Sequence, residues 1–362
     1  MKTIVFLVDQ VVNMGPENVV FDICRSINRR NYRPIIFSLR PDNKEKSIEY
    51  KFEEIEIEIV HFDLRMTDVE LFTWKVAKKV RNAFLEKKGD ILHAHCYHPQ
   101  LVASYIKDIK TVATLHNISG EDFLMKKGVC VGSYMKWRFD NSLSSIDCVV
   151  AISDYMMSYY GNCKRIVKIP NGVSTKRDDY FRENEFKRSL GLSCELPIII
   201  VSGSVTTRKN VSFILEELKQ SDKQFICMIL GDGDKMFECK SIAGNDTRFR
   251  FEGFKKNVSD YLSIANYYIS ASLSEGLPLS VLEALNMGVP SLLSDIRPHK
   301  EIVANMNVDG VFCFSLKKGA LLSAFNNAMT SNYNRSEIEF AASQKYSASV
   351  MTSHYEEIYE TL

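Results

Sequence analysis

Residues 267–301 read YYISASLSEGLPLSVLEALNMGVPSLLSDIRPHKE. The apolar run 267–270 has the length of a buried strand. A Gly-Leu-Pro turn follows Glu275, and 279–287 carries helix-forming residues until Gly288-Val289-Pro290 stops them. A second apolar run at 289–293 restarts the strand pattern. Strand, turn, helix and strand in that order form a crossover unit, the element that joins parallel strands in an α/β fold.

The same alternation extends outward. Strands are expected at 3–8, 33–39, 55–62, 91–94, 111–115, 148–152 and 166–169, and again at 197–201, 225–230 and 249–251 ahead of the opening stretch. Helices are expected at 17–28, 67–85 and 99–106. The restart predicts two α/β domains, 1–170 and 171–346. The join falls in the polar stretch 171–195, which carries ten formal charges. Residues 347–362 read as an amphipathic helix packing back on the first domain, with Val350, Tyr355, Ile358 and Tyr359 as its apolar contacts.

Composition narrows the function classes. The chain has 362 residues, 45% hydrophobic and 25% charged, as an ordinary globular protein does. A net charge of +1 removes any whole-chain argument for a nucleic-acid partner. It is the balance of 25 basic and 21 acidic residues up to position 170 against 21 and 24 beyond it. Nine scattered cysteines without a CxxC pair suggest neither a disulfide framework nor a zinc ribbon, and point to a reducing cytoplasm. The opening MKTIVFLVDQ is interrupted by Asp9 and reads as a first strand, not a signal peptide. No run approaches the ~18–20 apolar residues of a membrane span.

The chemistry concentrates in the opening stretch. Glu275 falls in the loop and Glu283 about one turn inside the helix, whose first N–H groups, near Leu279 and Ser280, suit a phosphate. Two ionised carboxylates flanking such a site can accept hydrogen bonds from sugar hydroxyls, each offering two oxygens to a vicinal diol.

Glu275-Gly-Leu-Pro-Leu-Ser-Val-Leu-Glu283, followed by Ala284, Gly288-Val289-Pro290 and Glu301, closely resembles the E-x7-E signature of the retaining family 4 glycosyltransferases. The resemblance implies the GT-B fold: two Rossmann-like α/β domains with parallel sheets facing a central cleft. It implies a nucleotide-diphosphate sugar as donor, a saccharide or lipid-linked saccharide as acceptor, and no cofactor or metal. It gives Glu275 contact with the donor sugar, Glu283 the ribose hydroxyls, and the backbone at Leu279 and Ser280 the diphosphate. In VSGSVTTRKN, at 201–210, Ser204 stands where the family usually has a diphosphate-binding Arg. Lys209 matches the family Lys, and Arg208 beside it can supply the missing cation. Gly253 and Phe254 match the base-contacting segment, and Gly15 the loop that approaches the donor phosphates. His116 corresponds to a histidine close to the donor sugar and is assigned with Glu275 to catalysis.

Two motifs invite metal readings. Asp232-Gly-Asp234 resembles the DxD of a different glycosyltransferase fold, but a Gly-Asp-Gly turn after a buried strand is the expected family loop. His93 and His95 share one strand face, with only His98 nearby as a third ligand, and read as a strand end facing the cleft. The segment 123–139 mixes Lys126, Lys127, Lys136 and Arg138 with Tyr134 and Trp137, which suits an anionic membrane surface carrying a lipid-linked acceptor. A solvated basic helix face is the competing account. Synthesis of a surface polysaccharide such as lipopolysaccharide is the expected setting. A nucleotide-sugar epimerase and a catalytically silent partner subunit are the alternatives.

Overall fold

In the computed structural model the described residues are 1–161, 163–175, 183–192 and 196–362, without the side chains of Glu121, Asp122, Met125 and Lys126. Two compact units result, Met1–Gly172 with Ala348–Leu362, and Val173–Ser347. Parts of the expected join, 176–182 and 193–195, lie outside the described residues.

Among the described residues the first unit holds seven strands: β1 (Lys2–Val8), β2 (Tyr32–Ser38), β3 (Glu58–His61), β4 (Ile91–His95), β5 (Lys110–Leu115), β6 (Cys148–Ala151) and β7 (Ile166–Lys168). All are parallel, in the order β3-β2-β1-β4-β5-β6-β7. The second unit holds β8 (Ile198–Ser202), β9 (Ile226–Leu230), β10 (Phe249–Gly253), β11 (Tyr267–Ser270), β12 (Ser291–Ser294) and β13 (Val311–Phe314), parallel in the order β10-β9-β8-β11-β12-β13. Helices cover both faces of such sheets, so central strands read as unbroken apolar runs. Residues 4–8 and β8 are buried throughout. In each sheet the order reverses once, between β1 and β4 and between β8 and β11. Loops at the carboxyl ends of strands flanking a reversal are where ligands bind in open α/β sheets.

Several expected elements change. The strand expected at 55–62 shrinks to β3, because Glu49–Glu54 forms a helix and Glu56 turns the chain at a φ of 55°. The expected helix 67–85 divides into Met66–Leu71 and Thr73–Glu86 around Phe72, which leaves the helical region at φ −124° and ψ 36°. The expected helix 17–28 runs instead from Gly15 to Ser26, so Gly15 is its first residue and Pro16 follows in the first turn, where its missing N–H costs nothing. Strand β13 and the helix Arg335–Tyr346 were not expected.

The last helix, Ala348–Thr361, buries Ala348, Met351, Thr352, Tyr355, Ile358 and Tyr359 on one stripe. Val350 lies off that stripe and is half-buried, because Met351 takes the inward position. Tyr359 donates or accepts at His93 Nδ1 (2.7 Å), and Tyr355 pairs with Thr114 (2.9 Å), so this helix ties into β4 and β5 of the first unit. No helix among the described residues is long and apolar enough to cross a membrane.

Candidate functional site

At the reversal of the second sheet, β8 runs into the loop 203–210 and β11 into the loop 271–278. A backbone bond from Leu273 N–H to Arg208 O (2.8 Å) joins these loops. The loop after β8 is held on its other side by Gly203 N–H to Leu230 O and Val205 N–H to Asp232 O, both 2.9 Å. The approach is so close that a Cβ on Gly231 would lie 1.9 Å from Gly203 O, and one on Gly233 2.2 Å from Val205 O. The glycines flanking Asp232 are therefore required by backbone packing. Asp232 and Asp234 are exposed, and no group of three or more metal-ligating side chains occurs among the described residues.

The loop pairing assembles a charged cluster around Glu275. Arg208 Nη1 donates to a Glu275 carboxylate oxygen and to Ser274 O (2.9 Å). Lys209 Nζ lies 2.7 Å from the other carboxylate oxygen, to which Ser272 Oγ also donates at 2.8 Å. The Glu275 side chain is only 6% exposed. Burial alone would raise its pKa, but Lys209, Arg208 and the hydrogen bonds outweigh burial and hold it at about 2. Behind it, Ser294 Oγ donates to Ser272 O (2.6 Å) and meets His299 Nδ1 (3.0 Å). Burial pushes fully buried His299 down to about 4, although Glu275 nearby pulls the other way.

The helix Leu279–Asn286 starts right after this loop. The N–H groups of its first turn, Leu279 and Ser280 among them, have no partner within the helix, as in any helix start. Glu283 is half-buried one turn further on. Gly253 ends β10 at a φ of 69° and accepts from Gly231 N–H (2.7 Å), and Phe254 beyond it is 59% exposed. Thus the structure brings Arg208, Lys209 and Glu275 together, sets Leu279, Ser280 and Glu283 on the adjoining helix, and places Gly253 and Phe254 beside β9. Ser204, exposed, makes none of the cluster's contacts.

Gly15 and His116 belong to the first unit, whose reversal carries a different set of charges. Asp9, just past β1, pairs with Arg40 and lies 3.4 Å from His98, which reaches Glu70 at 3.0 Å; Glu70 in turn pairs with Arg138. Burial would raise Asp9, but Arg40 and His98 bring it to about 2, whereas the two carboxylates overcome burial to raise His98. Glu17, on the first turn of the helix Gly15–Ser26, is 7% exposed. Burial with Asp9 and Asp42 nearby pushes it up to about 8, so it is protonated at neutral pH.

His93 on β4 is enclosed and is not a strand end facing a cleft. His93 is fully buried, with both ring nitrogens used, by Tyr359 OH (2.7 Å) and Thr114 Oγ1 (2.8 Å). The last helix covers it, a contact that local sequence cannot show. His95 is 1% exposed and meets half-buried His116 at 3.0 Å, from Nδ1 to Nε2. Sequence reasoning also missed Ser272, Ser294 and His299. Small polar residues at strand ends were the available signal for the serines, and the His299 contact is purely tertiary.

A family model described as Glycosyltransferase Family 4 matches residues 14–177, and one described as Glycosyl transferases group 1 matches residues 182–345. The chain belongs to the family 4 glycosyltransferases. It is 21% identical over 294 residues to the O-antigen biosynthesis glycosyltransferase WclY of Escherichia coli, covering 76% of this chain and 80% of the relative. It is 23% identical over 237 residues to an Escherichia coli UDP-Gal:alpha-D-GlcNAc-diphosphoundecaprenol alpha-1,3-galactosyltransferase, covering 61% of each. The crystal structure of Anabaena Alr3699/HepE in complex with UDP and glucose superposes over 100% of both chains with a TM-score of 0.80 at 17% identity. At that identity the likeness shows the fold, and it is GT-B: two parallel-sheet α/β domains.

Proposed function

We propose that this glycosyltransferase moves a sugar, with retention of anomeric configuration, from a nucleotide-diphosphate sugar to a saccharide or lipid-linked saccharide in surface polysaccharide synthesis. The observation that carries the donor assignment is the Arg208–Glu275–Lys209 cluster, in which two cations share one buried carboxylate at the β8/β11 reversal. A diphosphate brought to these loops would meet a surplus cation beside the N-terminal N–H groups of the helix Leu279–Asn286. The relatives named above, which include an enzyme bound to UDP and glucose and one acting on a diphosphoundecaprenol acceptor, support the same substrate classes. They favour neither an epimerase nor a silent subunit.

In the proposed reaction the bond between the anomeric carbon and the phosphate oxygen breaks. The acceptor hydroxyl oxygen forms the new bond on the same face, and its proton passes to the departing diphosphate. Arg208, Lys209 and the helix N–H groups stabilise the leaving charge, and Glu275 the positive charge at the anomeric carbon. Glu283 accepts from the ribose hydroxyls, Gly253 and Phe254 meet the base, Gly15 approaches the phosphates, and His116 bonds a hydroxyl of the transferred sugar. The two cationic side chains carry the charge that a metal carries in other transferases, so no metal or cofactor is assigned.

For the acceptor side, exposed Tyr134 and Trp137 flank Arg138, which bonds Glu70 and Thr73 and so adjoins exposed Leu71, Phe72 and Trp74. Lys75 lies over the rings of Phe72 and Trp74. This aromatic and basic surface supports contact with an anionic membrane. The charge is lower than the segment's composition suggests, since Lys136 pairs with Asp140 and Arg138 with Glu70. Phe123 and Phe139 turn inward against Tyr97, and the Lys126 side chain is outside those described.

The test is a panel of UDP-, GDP- and ADP-sugars incubated with the protein and followed by NMR. Release of nucleoside diphosphate with an α-configured sugar from an α-configured donor is expected. Epimerisation of the intact donor, or no reaction with any member, would overturn the reading. Binding to vesicles containing phosphatidylglycerol, reduced in a Trp74→Ala/Trp137→Ala variant, is expected for the membrane face. Parental binding by that variant would remove it.

A further inference from the structure

We infer that His95 is a positioning residue that fixes the tautomer of His116, so that His116 presents an N–H donor and not a bare nitrogen. The inference rests on the role proposed for His116 in transfer. Period-two geometry puts His93 and His95 on one face of β4, with ring centroids 4.3 Å apart, and β5 delivers His116 alongside. His93 is committed at both nitrogens to Thr114 and Tyr359 and closes that side of the site. His95 bonds His116 through Nδ1 at 3.0 Å, with the two rings stacked at 5.2 Å. Its Nε2 is buried and has no hydrogen-bond partner among the described residues.

Burial disfavours a charge on either ring, so each holds one proton and the bond between them contains one proton. Two arrangements satisfy that count. If His116 donates from Nε2, His95 must accept at Nδ1 and carry its own proton on Nε2, where an N–H would be buried without an acceptor. If His95 donates from Nδ1, only a lone pair is left unmatched at its Nε2. A buried orphan N–H is the rarer and more costly of the two, so the second arrangement prevails. His116 then accepts at Nε2 and carries its proton on Nδ1. The half-buried His116 is thereby set to donate to a hydroxyl oxygen of the transferred sugar.

The direct measurement is long-range proton–nitrogen NMR of the full chain with labelled histidines, assigned through single variants. Nδ1–H tautomers are expected at both His95 and His116. An Nε2–H tautomer or an imidazolium at either, at neutral pH, would overturn the inference. Turnover gives a second readout. His95→Asn keeps an N–H donor near the Nδ1 position and should stay within about three-fold of the parent, while His95→Leu should lose roughly ten-fold or more in kcat with little change in donor KM. Cooperative melting of both variants checks that they fold. Parental kcat in His95→Leu, or an equal loss in His95→Asn, would count against a positioning role. Parental turnover in His116→Ala would instead sink the role proposed for His116, whatever tautomers the spectra show.

Discussion

The two sheets reverse strand order in the same way, and both load charge onto the loops at the reversal, yet they balance it differently. In the second unit one carboxylate, Glu275, is shared by Arg208 and Lys209, leaving a surplus cation. In the first unit the two cations Arg40 and Arg138 are matched by the two carboxylates Asp9 and Glu70, with His98 bridging the carboxylates, and neighbouring Glu17 is kept neutral by burial. A surplus cation suits an anion such as a diphosphate, whereas a matched network offers donors and acceptors to a neutral polyol. The contrast runs against the bulk charge, because the half with 24 acidic and 21 basic residues holds the local positive surplus. Whole-domain charge therefore says little about which domain takes the anionic substrate.

The sharpest way to break this comparison is Glu275→Ala. It removes the group assigned to the anomeric carbon and leaves two cations without their carboxylate, so turnover should fall by about 10²–10³. Near-parental turnover would take Glu275 out of the mechanism. Lys209→Ala comes next. Losing a charge-assisted contact should weaken UDP or GDP binding in calorimetry by roughly ten-fold. Arg40→Ala, which cuts the first unit's network, should leave that affinity alone; an equal loss in both variants would erase the distinction between the two reversals. Glu283→Ala should raise donor KM several-fold, about 1 kcal/mol, with little change in kcat, as expected for uniform binding. A fall in kcat at constant KM would move Glu283 into the chemical step.

What was legible in the sequence follows from the range of the forces involved. Strands such as β1 and β8 are continuous Ile/Val/Leu runs, so burial on both faces declares them. The alternating IEIEIV run promises a longer strand than β3, because its pattern does not show the local turn at Glu56. β13, with only four residues and Phe312 exposed, carries too weak a pattern to be found. In the site, the spacing of Glu275 and Glu283 was visible in one segment. The pairing of Arg208 with Glu275 was not, since it depends on a bond between Leu273 and Arg208 that joins loops from different strands. The enclosure of His93 is illegible for the same reason: the Tyr359 that covers it comes from the far end of the chain.

The substitution expected to disturb transfer least is Glu17→Gln, and it tests whether the first unit's network is balanced as described. With its pKa raised to about 8 in the folded chain against about 4.5 when exposed, Glu17 binds its proton more tightly folded than unfolded. The stability tied to that proton is fully present below pH 4.5 and is lost as pH rises toward 8. Glutamine keeps the shape without a titrating proton, so the variant escapes this loss. Thermal melting of both proteins from pH 5 to pH 8.5 should show nearly equal midpoints at the acid end and a gap favouring Glu17→Gln that widens toward pH 8. Asp9 and Glu275, both held at about 2, lose their stabilising charge only in acid, and His98 titrates in both proteins, so none of them produces a widening gap. A constant difference across the range would mean that Glu17 is ionised in the folded chain. The first reversal would then carry one more negative charge than described.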